Sequence, residues 1–584
     1  MARTLLTLAE QSGFRRTGRT DEVDALCSAF AAQWPEAVRS IEFGRSGEGR
    51  PMRALIVSRA APLSARELQA RRIPVLLLQA GIHPGESDGK DAGFIALREL
   101  LEATAPRLLE QLAIVFVPAF NVDGHERIGR WNRPNQNGPE ETGWRTTARN
   151  LNLNRDYTKA DTVEMRAMLG LINDWDPLLC ADLHVTDGAD FQPDISIQVE
   201  PLNQGDAQLR ASGRLLRDRL IDKLTAAEAL PLPFYPDFVT ADDPASGFVL
   251  TVYSPRFSTG YWPQRNRFTV LVETHSWKDY ARRVRVTCST IRALAELLAC
   301  HGEQWLSEVQ AADRAAARLA GCSVDLAYRS AWREPGSAEH HAASDAEGAT
   351  MIDFPGYAYQ RRRSAISGAL VTVYDPGTPQ IWRVPYRDRV EPSLSVQAPG
   401  GGYLVPAAYA DEMAAKLAVH GIESQPLAAT LEAHAMSAFR ATGAEFSVAP
   451  FEGRMRVRLD GEWRAETRSL GAGGLYVPIA QARARLLLAL LEPQAPDSLA
   501  AWGFFNACFE QKEQLEPYVA EAIAQRLLDE VPQLRADFWS KLRHDSAFAA
   551  DGAARLQFLL RHHASWDQQY NLYPILRVDA VTWS

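Results

Sequence analysis

The sequence predicts an α/β fold, with a mixed, mostly parallel sheet flanked by helices, followed by a C-terminal extension that is β-rich and then helical. Three observations support this fold class. Apolar runs at 74–79 and 113–117 enclose a helical pattern at 92–102, which is the order of a right-handed βαβ unit. Strand and helix patterns then alternate as far as residue 320. Beyond residue 322, short alternating segments replace the apolar runs, as is typical of a separate β-rich module.

Before and after this unit the same reasoning predicts further elements. A helix at 23–33 and a hairpin with strands at 41–45 and 52–57 lead into it. After it, the sequence predicts strands at 178–183, 195–200, 248–252 and 268–272, and helices at 163–175, 207–224 and 284–319. The stretch from Asn121 to Asn154 is longer than most loops inside a compact domain, and such loops usually carry function or are disordered.

The chain is too long, at 584 residues, for one hydrophobic core. Its changes of pattern predict a first domain at 1–320, a polar linker at 321–345 and a C-terminal α+β extension at 346–584. Strands are expected in the extension at 370–374 and 381–384, and helices beyond Pro493. No pattern in the extension indicates its role.

Composition excludes several classes of function. The formal net charge of −9 comes without the basic stripe that nucleic-acid binding needs, so no nucleic-acid partner is expected. Eighteen consecutive apolar residues occur nowhere in the sequence, so no membrane partner is expected either. The N-terminus lacks a signal-peptide pattern and predicts a cytoplasmic protein, with a leader missing from this sequence as the alternative. The six cysteines have no CxxC spacing and do not indicate a cysteine zinc site.

Potential metal ligands follow three of the predicted strands. His83 and Glu86 come directly after the strand at 74–79, in a His-Pro-Gly-Glu turn. His184 ends the strand at 178–183, and Glu273 ends the strand at 268–272. A histidine and a glutamate three residues apart are common by chance, but strand ends of one parallel sheet meet in one crevice. A nitrogen and an oxygen donor placed there can hold zinc when a third ligand joins them.

A known family has the same motifs in the same order. The chain resembles the carboxypeptidase A-like zinc metallocarboxypeptidases in His83-x-x-Glu86, Asn121-Val122-Asp123-Gly124, Asn154-Arg155-Asp156, His184 and Glu273. The resemblance covers about residues 20 to 300 and implies a zinc carboxypeptidase-like catalytic domain within 1–320. It implies nothing about the second half.

The resemblance assigns the chemical roles. His83, Glu86 and His184 would bind one Zn²⁺ ion and leave its fourth position open to water, as a catalytic site requires. Glu273 would be the general base that takes a proton from the zinc-activated water and later delivers it to the leaving amine. Arg133 is the candidate that stabilises the developing oxyanion, with Arg130 and Arg145 as alternatives.

Substrate binding is assigned in the same way. Asn154 and Arg155 resemble the pair that binds a free terminal carboxylate, because a guanidinium can hold a carboxylate with two hydrogen bonds. Tyr253, 20 residues before Glu273, fits the spacing of the tyrosine that caps the substrate better than Tyr261 does. One position departs from the family pattern: Asn152 stands where an acidic residue usually orients a zinc histidine.

The sequence therefore predicts a zinc-dependent metallocarboxypeptidase that removes the C-terminal residue of peptides with a free C-terminal carboxylate. Two alternatives stay open. One is a zinc deacylase or amidase acting on acyl amino acids or cell-wall peptides. The other is a non-catalytic zinc-binding interaction module. The preferred C-terminal residue and the oligomeric state are left open.

Overall fold

A computed structural model of the chain describes residues 5–60, 62–104, 107–332, 349–513 and 515–580. The α-helices in these ranges are α1 (Leu8–Gln11), α2 (Thr20–Gln33), α3 (Ala65–Ala70), α4 (Asp88–Glu102), α5 (Val122–Glu126), α6 (Val163–Trp175), α7 (Arg210–Ala226), α8 (Ser258–Gln264), α9 (Tyr280–Ala316), α10 (Ala407–Val419), α11 (Ala484–Leu491), α12 (Pro517–Glu530), α13 (Pro532–His544), α14 (Ser546–Ala550) and α15 (Gly552–Leu560).

The strands of the first half are β1 (Val38–Arg45), β2 (Pro51–Val57), β3 (Val75–Ala80), β4 (Ala113–Val117), β5 (Leu179–Val185), β6 (Ile195–Glu200), β7 (Pro231–Leu232), β8 (Phe248–Val249) and β9 (Phe268–Thr274). Those of the second half are β10 (Ser323–Ser330), β11 (Thr350–Arg363), β12 (Leu370–Arg387), β13 (Val390–Gln397), β14 (Gly402–Val405), β15 (Gln425–Pro426), β16 (Leu431–Phe446), β17 (Val457–Leu470), β18 (Leu475–Pro478) and β19 (Leu576–Val578).

The main sheet has eight strands in the order β1-β2-β4-β3-β5-β9-β6-β7. Its four central strands, β4, β3, β5 and β9, run parallel to one another. On one side of them, β2 is antiparallel to β4 and to β1; on the other, β6 is antiparallel to β9 and parallel to the edge strand β7. Every residue of β3 is buried, as expected for a strand covered by helices on both faces. The predicted mixed, mostly parallel α/β sheet is confirmed.

The second half is β-rich and then helical, as predicted. Six antiparallel strands form one sheet in the order β15-β18-β14-β19-β16-β17. The two short strands predicted at 370–374 and 381–384 are parts of one long strand, β12, which pairs with β11 along its length. Four helices, α12 to α15, follow residue 493.

The strand predicted at 248–252 differs from expectation. Only Phe248 and Val249 are extended, and they form β8 outside the main sheet. There β8 pairs in parallel with Tyr386 and Arg387 of β12. A short apolar run does not specify its partner strand, and here the partner belongs to the second half of the chain.

Part of the linker predicted at 321–345 is a strand in the structure. Ser323–Ser330 forms β10, which pairs antiparallel with β13. Val324 and Leu326 alternate with more exposed residues and are buried, so this segment is held as a half-buried strand. The remainder of the predicted linker, from residue 333, lies outside the described residues, and the proposed domain boundaries stay a prediction.

The two halves are joined by a continuous hydrophobic core and by a partly buried ion pair between Asp176 and Arg483. Met165 and Ile172 of α6 belong to the same buried cluster as Met413 and Leu417 of α10. Asp176, at the end of α6, lies 2.7 Å from the guanidinium of Arg267 and 3.1 Å from that of Arg483. Burial alone would raise the pKa of Asp176, but the two arginines lower it to about 2.

Among the described residues, no helix is both long and apolar enough to cross a membrane.

Candidate metal and catalytic site

The site begins where β3 ends. Gly81 has φ = +68°, and a Cβ atom there would lie 3.2 Å from the backbone of Ala119, so glycine suits this sharp exit from the strand. The chain then turns, and the N–H of Glu86 donates to the carbonyl of His83 over 2.9 Å. This turn directs the imidazole and the carboxylate toward the same point at the carboxyl end of the sheet.

Three predicted metal ligands converge at that point. Ligand atoms of His83, Glu86 and His184 all lie within 4.8 Å of one another, and all three side chains are buried. His83 Nδ1 is 3.0 Å from Glu86 Oε1, and His184 Nδ1 is 2.9 Å from Glu86 Oε2. The parallel pairing of β3 with β5 brings residues about 100 positions apart into contact.

The other nitrogen of each imidazole is held by an oxygen. His83 Nε2 lies 3.1 Å from Asn152 Oδ1, so the amide occupies the position where the family pattern has an acidic residue. His184 Nε2 lies 3.0 Å from Asp182 Oδ2, an ion-pair distance without hydrogen-bond geometry. A proton on the Nε2 atom of each ring leaves the Nδ1 lone pair for a metal.

The protonation states of the ligands differ. Burial lowers the pKa of His83 to about 4, so its ring is neutral at pH 7. Burial also disfavours a charged His184, but the Asp182 and Glu86 carboxylates outweigh it and raise the pKa of His184 well above its usual value. Burial would raise the pKa of Glu86, yet His83 and Arg133 hold it well below the ordinary range. The site therefore retains an ionised carboxylate in a buried position.

This donor set fits zinc. Two imidazole nitrogens and one carboxylate oxygen form the three-ligand set of a catalytic zinc site, and the partners of both imidazoles fix the ring orientations. The ionised Glu86 carboxylate adds the negative charge that favours a bound cation.

Glu273 lies beside this ligand set. It is directly opposite His184 in the β5–β9 register. Its Oε2 atom is buried and has no hydrogen-bond partner within the described residues. Burial raises the pKa of Glu273 to about 8, His184 opposes that shift, and the negative charge of Glu86 adds to it. A perturbed carboxyl with an unused oxygen next to a metal site is a candidate acid–base group.

The three candidate arginines occupy different environments. Arg133 is 7% exposed and lies 3.0 Å from Glu86 Oε1 and 3.2 Å from Asp187 Oδ1. Gly85 permits this approach, because a Cβ atom there would be 2.4 Å from Arg133 Cγ. Arg145 is 36% exposed and reaches the same Glu86 oxygen only at 3.5 Å. Arg130 instead stacks on Trp131, with its guanidinium 5.1 Å from the ring centroid.

A cationic subsite lies next to the metal ligands. The guanidinium of Arg155 lies 4.2 Å from the ring centroid of Phe257, and it forms no ion pair in the part of the chain that the structure describes. Burial and repulsion from Arg145 and Arg256 lower the pKa of Arg155 to about 10. The neighbouring Asn154 is buried, and its Oδ1 atom finds no partner among the same residues. The Oδ1 atom can only accept, so it is the positive charge of Arg155, without an ion-pair partner, that suits a carboxylate ligand.

The two tyrosines considered for capping the substrate lie in different environments. Tyr261 is fully buried in α8, and its hydroxyl lies 2.8 Å from His420 Nδ1 in the second half of the chain. The Tyr253 hydroxyl donates to Asp237 Oδ2 over 3.0 Å, and the ring lies 5.0 Å from that of Phe257. Tyr253 therefore borders the cationic subsite, whereas Tyr261 belongs to the core.

Several residues of the site were not predicted from the sequence. Asp182 could have been found, because the two-residue period of a strand places it on the same face as His184. Tyr235 had no such signal: burial, with a smaller contribution from the charge of Glu273, raises its pKa well above the usual value. Glu452 accepts a hydrogen bond from the N–H of Asn152 across 300 residues of sequence, a separation that no local pattern reveals.

A family model described as zinc carboxypeptidase matches residues 23–189. The matched range contains His83, Glu86 and His184 and ends before Glu273. The resemblance predicted from the sequence motifs is thereby confirmed.

Several solved structures resemble this chain. A metallo-carboxypeptidase from Burkholderia cenocepacia is 20% identical, covers 47% of this chain and 68% of its own, and has a TM-score of 0.35. The carboxypeptidase A from Helicoverpa armigera is 16% identical, with coverages of 48% and 74% and a TM-score of 0.35. Bovine thrombin-activatable fibrinolysis inhibitor, solved with tick carboxypeptidase inhibitor, is 13% identical, with coverages of 51% and 98% and a TM-score of 0.36. No curated protein matches the chain.

The first prediction concerns the metal. We expect His83→Ala and His184→Ala each to lose bound zinc, because each removes one of three protein ligands. The measurement is elemental analysis of protein dialysed against a limiting zinc buffer. His544→Ala, at an exposed histidine of α13, is the matched control and should keep the wild-type zinc content. Wild-type zinc content in both ligand variants would contradict the assignment.

The second prediction concerns pH. In the metal-free protein the Glu273 pKa of about 8 exceeds the ordinary value of 4.5 that applies to the unfolded chain. The folded state therefore holds this proton more tightly, and its contribution to stability is complete below pH 4.5 and is lost as the pH rises through 8. Thermal unfolding of chelator-treated protein should show wild type losing more stability than Glu273→Gln between pH 5 and pH 9. Parallel pH courses for the two proteins would contradict this.

Proposed function

Since this chain is a zinc metallopeptidase whose residues 23–189 match a zinc carboxypeptidase family model, we propose that it removes the C-terminal residue of peptides that have a free terminal carboxylate. The observation that carries the proposal is the position of Arg155. This residue is partly buried, follows the segment in which Asn152 contacts the metal ligand His83, and has no carboxylate partner within the described ranges. Burying such a cation is costly unless a ligand anion joins it.

The side chains around the site suit peptide hydrolysis. Zinc bound by His83, Glu86 and His184 would supply Lewis acidity and favour ionisation of a water molecule at neutral pH. Positive charge in that ligand set also favours the ionised form of Glu273, so its base form is available in the loaded protein. Glu273 Oε2 then accepts a proton from the attacking water and donates it to the leaving amine.

The remaining residues bind and orient the substrate. Arg155 and the Asn154 amide bind the terminal carboxylate, and Tyr253 covers the bound residue from the Phe257 side. Arg133 is already bound to Glu86 and Asp187, which supports a role in holding Glu86 in place. Arg145 is more exposed and less tightly paired, so of the three arginines it is the better placed to contact a substrate carbonyl oxygen.

The proposed base is tested by Glu273→Gln. We expect turnover of a free-acid peptide to fall by about 10²- to 10⁴-fold, because glutamine cannot shuttle the proton. Zinc content, measured in the same preparation, should not change. Glu303→Gln, at an exposed position of α9, should keep wild-type turnover. Full activity of Glu273→Gln would remove Glu273 as the base.

The substrate class is tested by comparing peptides with their C-terminal amides. A charge-assisted carboxylate contact corresponds to about 10- to 100-fold in kcat/KM in favour of the free acid. Equal rates would overturn exopeptidase specificity and favour the zinc amidase alternative. A zinc-loaded protein that is inert toward a broad panel of peptides and acyl amino acids would favour the non-catalytic interaction module.

A further inference from the structure

The second half of the chain reaches the cationic subsite around Arg155 at two points. The first is the turn between β16 and β17, where Phe451 and Arg454 form an isolated antiparallel bridge around Glu452 and Gly453. The guanidinium of Arg454 connects this turn to the first half of the chain, because it donates hydrogen bonds of 2.6 and 2.8 Å to the Asp161 carboxylate. The second point is Asp497, which is 1% exposed and lies in the segment after α11.

Glu452 holds the segment that carries the predicted carboxylate-binding pair. Its Oε2 atom accepts the N–H of Asn152 over 2.8 Å. The Asn152 side-chain oxygen accepts the N–H of Asn154 over 2.9 Å and lies 3.1 Å from His83 Nε2. The carboxylate of Glu452 is also near enough to Arg155 to oppose the fall in its pKa that burial causes. One acceptor from the second half thus fixes a segment that contacts both a metal ligand and the substrate pair.

Asp497 holds the segment that precedes Phe257. Its Oδ2 atom accepts the N–H of Arg256 over 3.0 Å, and its Oδ1 atom accepts a guanidinium N–H of the same residue over 3.3 Å. The next residue is Phe257, whose ring lies beneath the guanidinium of Arg155 and beside the ring of Tyr253. Fixing the backbone at Arg256 therefore fixes the surface on which Arg155 and Tyr253 rest.

Both contacts satisfy backbone N–H groups in irregular segments. Neither Asn152 nor Arg256 lies in a strand, so these donors lack a partner in a sheet ladder. An unsatisfied buried N–H costs free energy, and the carboxylates supply charged acceptors for both. Segments held in one conformation before the ligand arrives bind it with a smaller loss of entropy.

We propose that Glu452 and Asp497 are positioning residues of the cationic subsite: through them, the second half of the chain holds the segments that carry Arg155 and Phe257 in the conformation that binds a carboxylate. The inference rests on the proposed function, because it takes the ligand of Arg155 to be a substrate carboxylate. This role means that residues beyond 345 contribute to substrate affinity. The first half of the chain alone would then form an incomplete substrate site.

The test measures binding without turnover. In zinc-loaded Glu273→Gln protein, the probes are the free-acid tripeptide that the wild type cleaves fastest and its C-terminal amide, titrated by calorimetry. Adding Glu452→Ala should weaken free-acid binding by about tenfold, the size expected for one lost hydrogen bond to a charged acceptor, and change amide binding by less than about twofold. Glu452→Gln, whose amide oxygen can still accept the Asn152 N–H, should restore most of the affinity. The pair Asp497→Ala and Asp497→Asn should behave in the same way.

Glu445→Ala is the matched control. Glu445 lies on β16 of the same hairpin, its side chain is 69% exposed, and it pairs with Arg458 at the surface. It should not change the affinity for either probe. If Glu452→Ala does not fold, as judged by its Tm, Glu452→Met replaces it, since methionine has a similar size and no oxygen acceptor.

The outcomes distinguish failure of the positioning role from failure of the proposed function. Unchanged free-acid affinity in folded Glu452 and Asp497 variants overturns the positioning role. Equal losses for the acid and the amide also overturn it, because they indicate general destabilisation. If the Glu273→Gln parent binds acid and amide equally well, the proposed function itself fails, and the inference that rests on it fails too.

Discussion

The carboxylate of Glu86 is the group on which the site depends. It lies between the Nδ1 atoms of His83 and His184, and its two oxygens also contact the guanidinium of Arg133 and the N–H of Val185. A buried anion is tolerated only with this degree of compensation. Each compensating group in turn needs its own support, from Asp182, Asn152 or Asp187. The polar network extends outward from one carboxylate in this way until it reaches solvent or the second half of the chain.

The sequence was most informative where chemistry coincides with strand ends. Parallel strands must place their carboxyl ends together, so the sequence alone predicts His83, His184 and Glu273 in one crevice. The central sheet was equally predictable, because strands buried on both faces are continuous apolar runs with little ambiguity. Even the Asp182 carboxylate beside the His184 ring could have been predicted from the two-residue period of β5.

Contacts between distant segments could not be predicted in this way. Nothing near Phe248 indicates that its strand partner is Tyr386, and nothing near Asn152 indicates an acceptor at Glu452. Sequence patterns also could not decide which of Arg133 and Arg145 contacts the substrate. Arg133 is buried and Arg145 is more exposed because of the way the long loop packs against the turn at Gly85. Such features depend on tertiary packing, which local sequence patterns do not encode.

The continuous core between α6 and α10 has a thermodynamic consequence. Because buried residues from both halves belong to one cluster, neither half can open without exposing apolar surface of the other. A ligand that binds only the folded form stabilises the whole cooperative unit to the same extent. Zinc or substrate at His83 should therefore slow amide hydrogen exchange in strands such as β14, which lie hundreds of residues downstream and contact neither ligand.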